Sequence, residues 1–215
     1  MSTNRVPSLA VIWTLPALAG AIQGAALAGG LSGWALALAL LPGMLLQLAI
    51  KDLGERFGRW RELAAFMLGG YLPALLGCGL QSGVWLDRRT LILATPIAMW
   101  LSAAVLVDGV RRARALSAAG RSNLASSMGD SAARSAYLGL HTSALIILGF
   151  AIVADQVHWG MIVLPFAVFR IAASAADAIL SGIEFERSVE EAWEISLKAY
   201  LVGAVWVTGW SMAPA

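Results

Sequence analysis

The sequence predicts an all-α polytopic membrane protein, on three observations. Of its 215 residues, 59% are hydrophobic and 13% are charged, whereas soluble domains carry about 25% charged residues. The apolar residues form long runs, each near the roughly 20 residues that a transmembrane helix needs. These runs are rich in Ala and Leu and do not alternate as the strands of a membrane barrel would. No composition shift divides the chain, so we expect residues 1–215 to form a single transmembrane domain.

The apolar runs predict about seven transmembrane helices. They are Ser8–Gly29, Trp34–Ile50, Leu63–Ser82, Thr90–Val107, Ala136–Ala154, Trp159–Ala176 and Ile195–Met212. The first run has a second interpretation as a signal peptide, since Arg5 precedes it and Ala26-Leu27-Ala28 fits a cleavage site. Because the sequence turns apolar again within a few residues, it favours a retained first span.

The positive charges predict the orientation of the chain. If the spans alternate, every Lys and Arg falls on the side of the N-terminus except Arg88, Arg89 and Arg170. The positive-inside rule then places the N-terminus in the cytoplasm and the C-terminus on the opposite side of an inner membrane. Both long polar loops, residues 51–62 and 107–130, would therefore face the cytoplasm.

The first polar loop contains a candidate metal site. Asp52 and Glu55 are three residues apart, so a helix would turn both carboxylates towards one point. Paired carboxylates suit Mg²⁺, which commonly bridges to substrate phosphates. The alternative is a solvated helix end in which Lys51 and Arg56 are the local partners of the two acids.

The second polar loop contains a candidate anion site. Arg111, Arg112 and Arg121 could bind a diphosphate-like anion, because guanidinium groups pair with phosphate oxygens in a bidentate manner. Two other interpretations remain open. The positive-inside rule by itself calls for arginines here, and arginines also suit anionic lipid headgroups.

Arg170 is an intramembrane charge in the sixth predicted span. It follows Trp159 by eleven residues, which places it roughly 16 Å along the helix, near the middle of the bilayer. Asp177 lies on the same helical face and is a possible partner. Alternatively, the span ends early and Arg170 lies at the cytoplasmic interface. For His141 and His158 we predict a packed polar residue and a turn residue; ligation of a porphyrin or chlorin is the alternative.

Several stretches, in the same order along the chain, resemble the UbiA superfamily of intramembrane prenyltransferases, and most closely its 1,4-dihydroxy-2-naphthoate (menaquinone) branch. GRSNLASSMGDSAARSAYLGL is the most specific of them. The others are LPALAGAIQGAALAGGLSGWALALALL, MLLQLAIKDLGE, WRELAAFMLGGYLPALLGCGLQSG, VDGVRRARALSAAGRSNLASSMGDSAARSAYLGL and LPFAVFRIAASA. The resemblance implies a UbiA-like helical bundle with a cytoplasmic-side cavity for an isoprenoid or quinone-type lipid.

The chain departs from the family pattern in two places. Family members have one further hairpin, which would fall between Glu55 and Glu62. In the family, two aspartate motifs hold the Mg²⁺ ions that bridge the diphosphate. Here Asp52 and Glu55 stand in the first motif, whereas Arg112 and Leu116 replace the aspartates of the second. Of the other basic positions in this segment, Arg111 is retained and Arg121 replaces a lysine.

These departures leave two functions open. One is a degenerate, non-catalytic homologue that serves as a subunit of a respiratory or photosynthetic membrane complex, with a bound quinone, isoprenoid or pigment. The other is an active Mg²⁺-dependent prenyltransferase that moves an isoprenyl group from its diphosphate to an aromatic acceptor. The expected partners are membrane lipids and a larger membrane-protein complex, and no nucleic acid. A transporter is a third possibility, although no inverted repeat is visible.

Overall fold

The structure, a computed structural model, describes residues 9–41, 67–118, 123–181 and 186–210. Every regular element in these ranges is helical. The elements are α1 (Leu9–Ala28), α2 (helical over 33–41), a π-helical turn (Met67–Tyr71), α3 (Leu72–Ser82), α4 (Arg88–Ala118), α5 (Leu124–Met128), α6 (Asp130–Val153), a 3₁₀ turn (Trp159–Ile162), α7 (Val163–Ser181) and α8 (Glu186–Trp210).

Each long helix overlaps a predicted span, whereas the short α5 lies in the second polar loop. Three stretches are long and apolar enough to cross a membrane, namely Arg88–Ala113, Asp130–Val153 and Trp159–Asp177, and Trp13–Ala28 is a shorter apolar helix. The prediction of an all-α chain is therefore confirmed for the described residues. Parts of the second and third predicted spans lie outside them.

Helix α4 differs from its predicted span because it continues well past Val107 to Ala118. The segment that follows Val107 is polar but rich in Arg and Ala, which are strong helix formers. The apolar run thus predicted the part of the helix that is suited to lipid, and the helix itself extends into the polar loop.

Local sequence explains the end of α3. Pro73 lies in its first turn, directly after the π-helical turn Met67–Tyr71, and has no N–H with which to continue the hydrogen bonds of that turn. Gly83 follows the helix with a φ of 74°, a left-handed conformation that glycine adopts readily, and its N–H donates to the carbonyl of Gly79. The Leu72–Ser82 helix therefore ends where its sequence directs.

Helices α1 and α3 pack in close backbone contact. A Cβ atom at Gly20 would overlap the backbone of Ala74, and one at Gly77 would overlap that of Ala17. Small residues at a helix crossing let the two backbones approach, which is the usual way that helices associate in lipid.

The second half of the chain forms a bundle around α4, which contacts α6 and α8, while α7 contacts α6 and α8. One core cluster lies near the start of α4 and includes Leu93, Trp100 and Tyr200. A second lies towards its other end and includes Val107 and Tyr137. Helix α4 is thus central, while α6 and α7 keep outward faces.

Candidate functional site

Charged side chains from separate helices meet at one end of the bundle. Asp108 and Arg111 belong to the late part of α4, and Glu190 to the start of α8. At the same end, Arg134 near the start of α6 pairs with Asp177 near the end of α7. The topology predicted from the positive charges places this end on the cytoplasmic side.

Arg111 connects α4 to α8. Its Nη2 lies 2.8 Å from Asp108 Oδ1, and its Nη1 lies 2.9 Å from Glu190 Oε2. Its guanidinium carbon lies 4.6 Å from the ring centroid of Trp193, a cation–π contact. Two carboxylates and one aromatic ring therefore surround a cation that the sequence marked as a candidate anion ligand.

Asp108 is the centre of this arrangement. The residue is 8% exposed, and the same carboxylate oxygen accepts hydrogen bonds from Arg111 Nη2 at 2.8 Å and Arg112 Nε at 3.0 Å. We call Asp108, Arg111, Arg112, Glu190 and Trp193 the Arg111 cluster. Its two carboxylates and two guanidinium groups are equal in number, and both guanidinium groups already have a carboxylate partner.

Asn123 fixes the chain that follows α4. Its amide Nδ2 donates to the carbonyl of Gly109 at 2.7 Å, and its Oδ1 accepts from the backbone N–H of Ser126 at 2.7 Å. The Ser126 hydroxyl accepts in turn from the N–H of Asn123, which completes a capping box at the start of α5. Asn123 therefore ties α5 to the end of α4 beside the Arg111 cluster.

The structure brings two of the predicted site residues together and leaves three outside the described ranges. Arg111 and Arg112 meet on Asp108. Asp52, Glu55 and Arg121 lie outside the described residues, so their predicted metal-binding and anion-binding roles stay predictions.

Arg170 lies apart from these groups, exposed on α7. Asp177, the partner considered from helical spacing, instead accepts a hydrogen bond from Arg134 Nη2 at 2.9 Å. Arg170 itself has no hydrogen bond or ion pair with the part of the chain that the structure describes.

The Arg111 cluster does not suit a magnesium ion. Its carboxylates are those of Asp108, which two guanidinium groups share, and Glu190, which pairs with Arg111. Cations this close repel Mg²⁺. Within the described ranges, no group of three or more His, Cys, Asp and Glu side chains could hold a metal ion.

Both histidines match their predicted structural roles. His141 is 2% exposed within α6, with its ring centroid 4.8 Å from that of Tyr137. His158 lies in the turn before the 3₁₀ helix, where its Nδ1 accepts from the N–H of Gly160 at 3.1 Å. Its ring stacks on Trp210 with centroids 4.5 Å apart.

An apolar groove lies between α7 and α8 at the end opposite the Arg111 cluster. It has a volume of about 750 Å³ and is lined by Leu164, Leu201, Val202, Val205, Trp206, Gly209 and Trp210. The indole of Trp206 donates to the carbonyl of Met161 at 3.2 Å, which holds one wall in place. We call it the α7–α8 groove. Its volume falls within the range of small-molecule sites, and its lining suits a hydrocarbon chain.

Sequence reasoning missed four residues of this region: Asn123, Ser126, Glu190 and Trp193. The Asn-x-x-Ser spacing of Asn123 and Ser126 was a readable capping signal. Glu190 and Trp193 gave no such signal, because helical periodicity cannot pair a residue with one 79 positions away.

Searches of protein-family models, curated proteins and solved structures found no match to this chain. The resemblance to the UbiA superfamily thus stays a prediction from the sequence.

Proposed function

We propose that this chain is a UbiA-like integral membrane protein that has lost catalysis and serves as a non-catalytic subunit of a membrane complex. In this role it holds an isoprenoid or quinone-type lipid. About seven transmembrane helices, with a cytoplasmic N-terminus, form the body of the subunit. The three helical stretches of spanning length support a membrane position.

The main support for the proposal is the set of contacts that Arg111 makes. A diphosphate-binding arginine must present its N–H groups to the ligand. In Arg111, Nη1 and Nη2 instead donate to Glu190 and Asp108, and the guanidinium lies over Trp193. The retained arginine is thus used in joining two helices, which favours a structural role for the second motif.

The α7–α8 groove supports the lipid-binding half of the proposal. Its seven lining residues present almost wholly apolar surface, which favours a hydrocarbon tail over a charged ligand. Beside it, His158 accepts a hydrogen bond at Nδ1, so a neutral ring carries its proton on Nε2. That N–H is a suitable donor for a quinone carbonyl. The groove lies on the predicted outer side, whereas the cytoplasmic-side cavity implied by the resemblance stays a prediction.

The test is the identity of the lipid that remains bound. The full chain is purified from its native membrane in mild detergent, and the lipids are extracted and identified by mass spectrometry. We expect a quinone or other isoprenoid at roughly one molecule per chain, the stoichiometry of a single groove. Phospholipid alone, at the level of an unrelated membrane protein purified in parallel, would contradict the lipid-binding role.

A further inference from the structure

We propose that one face of α7 is a docking surface for a transmembrane helix of another protein, and that this helix carries a carboxylate near the middle of the bilayer. Arg170 would be its ion-pair partner. The inference rests on the membrane-subunit part of the proposed function and adds the chemistry of the partner.

Arg170 lies inside the candidate span Trp159–Asp177, eleven residues from one end and seven from the other. Its side chain is exposed rather than turned into the bundle, and it makes no hydrogen bond or ion pair with any residue that the structure describes. A guanidinium group is always charged, and such a group facing lipid at this depth is strongly unfavourable.

Helix α7 itself does not neutralise the charge of Arg170. Asp177 is the nearest acid along α7, about 10 Å further on the helix axis. Its Oδ1 pairs with Arg134 on α6. The missing negative charge therefore has to come from outside the described chain.

The surface around Arg170 consists of exposed residues. Helical spacing places five of them on the same side of α7 as Arg170: Val163, Phe166, Ala167, Ile171 and Ser174. We call these residues, together with Arg170, the Arg170 face. Phe166 and Ile171 are 63% and 53% exposed, while Ala167 and Ser174 are small enough for a second helix to come close.

Helix α7 has an outward face. Of its spanning window, 39% is buried inside the molecule, compared with 78% for α4 and 28% for α6. The Ser174 hydroxyl donates to the carbonyl of Ile171 in its own helix, so it needs no further partner. On the Arg170 face, the unmet requirement is thus for one negative charge.

Charge selects a different protein rather than a second copy of this chain. All 13 acidic residues of the sequence lie outside the predicted spans: Asp52, Glu55, Glu62, Asp87, Asp108, Asp130, Asp155, Asp177, Glu184, Glu186, Glu190, Glu191 and Glu194. A second copy would bring Arg170 against Arg170 or against apolar residues, which leaves both charges unpaired. A partner helix with a mid-span Asp or Glu would neutralise Arg170 directly.

The test uses the full chain in phosphatidylcholine nanodiscs with dilute synthetic transmembrane helices of Leu and Ala. One peptide carries a central Glu, and its matched control carries Gln at the same position. Association is measured by energy transfer between dyes on the protein and the peptide. We expect the Glu peptide to bind wild type about threefold to twentyfold more tightly than the Gln peptide, the range of polar contacts between transmembrane helices.

Three variants make the result specific. Arg170→Gln should remove the preference for Glu, Arg170→Lys should keep it, and Arg88→Gln, a matched loss of charge at the other end of the bundle, should leave it unchanged. Equal binding of the Gln peptide to wild type and Arg170→Gln shows that the face itself is intact.

The opposite results are equally definite. Equal binding of both peptides to wild type, in phosphatidylcholine and in nanodiscs that contain phosphatidylglycerol, would overturn the proposal and indicate lipid phosphate as the counterion. A preference that survives in Arg170→Gln would also overturn it. Lipid extraction from the same samples keeps the two proposals apart, because Arg170 does not line the α7–α8 groove and its variants should retain the bound isoprenoid.

Discussion

Arg111 and Glu190, which are 79 residues apart in the chain, form an ion pair of 2.9 Å that joins the late part of α4 to the start of α8. Asp108 holds the other side of the same guanidinium group. The sequence predicted Arg111 as a ligand of a diphosphate-like anion. In the structure it instead joins two helices, which supports the proposed loss of catalysis.

Glu190→Gln should destabilise the protein by about 1 kcal/mol. A hydrogen bond between charged groups contributes about 1.5–3 kcal/mol, and solvent screening lowers this because the side chains of Arg111 and Glu190 are 27% and 33% exposed. Thermal unfolding in detergent measures the change. The control Glu194→Gln removes only the loose pair with Lys198 at 3.6 Å and should have a smaller effect. Equal effects of the two variants would refute a stabilising role for the Arg111–Glu190 pair.

Asn123→Ala should cost about 1–2 kcal/mol, because it removes the cap of α5 and leaves the Gly109 carbonyl without its amide donor. Denaturant unfolding of both proteins gives the difference. Ser127→Ala is the matched control, since that hydroxyl is exposed and donates only to Leu124 in its own helix. A stability of Asn123→Ala equal to that of Ser127→Ala would show that the capping box is not a stabilising feature.

Gly209→Leu should fill the α7–α8 groove and lower the amount of co-extracted isoprenoid several-fold. A Cβ atom at Gly209 meets nothing within 4 Å, so the new side chain can enter the groove without a backbone clash. Gly139→Leu is the control, since Gly139 is equally open but lies on α6, away from the groove. Quantitative mass spectrometry of the bound lipid compares the two. Retention of the isoprenoid in Gly209→Leu would place the lipid elsewhere.

Reporter fusions test the orientation that the positive charges predict. A fusion after Ser117 should report the cytoplasm, and one after Ala215 should report the opposite side of the membrane. The Arg111 cluster would then face the cytoplasm and the α7–α8 groove the outer leaflet. An external signal at Ser117 would reverse this assignment.

The sequence predicted the helices better than it predicted their contacts. Apolar runs located α1, α6 and α7 closely, because a bilayer demands a minimum length of apolar helix whatever the tertiary structure. The same signal missed the extension of α4 into the polar loop, where helix propensity rather than hydropathy decides. It was therefore informative about membrane-facing segments and less so about their ends.

At the candidate site, the sequence indicated individual residues but not the contacts that they make. The sequence predicted Arg111 as a ligand of a diphosphate-like anion. It did not predict the contacts of Arg111 with Asp108 on its own helix and with Glu190 on a helix far along the chain. Helical spacing predicted Asp177 as a possible partner of Arg170. In the structure Asp177 pairs instead with Arg134, on a neighbouring helix. Tertiary contacts of this kind follow from how helices pack, and no local pattern in one sequence encodes them. The Asp52–Glu55 pair lies outside the described residues and is still a prediction.

Prenyl transfer by the unmodified protein is the direct test of the proposed loss of catalysis. The full chain in nanodiscs is incubated with Mg²⁺, labelled geranyl, farnesyl or geranylgeranyl diphosphate, and a hydroxynaphthoate or hydroxybenzoate acceptor. Because Arg111 and Asp108 form an ion pair, and the resemblance implies Arg112 and Leu116 in place of the family's metal-binding aspartates, we predict no prenylated product above the protein-free control. Robust turnover that Asp52→Ala abolishes would contradict the account and make this chain a minimal prenyltransferase.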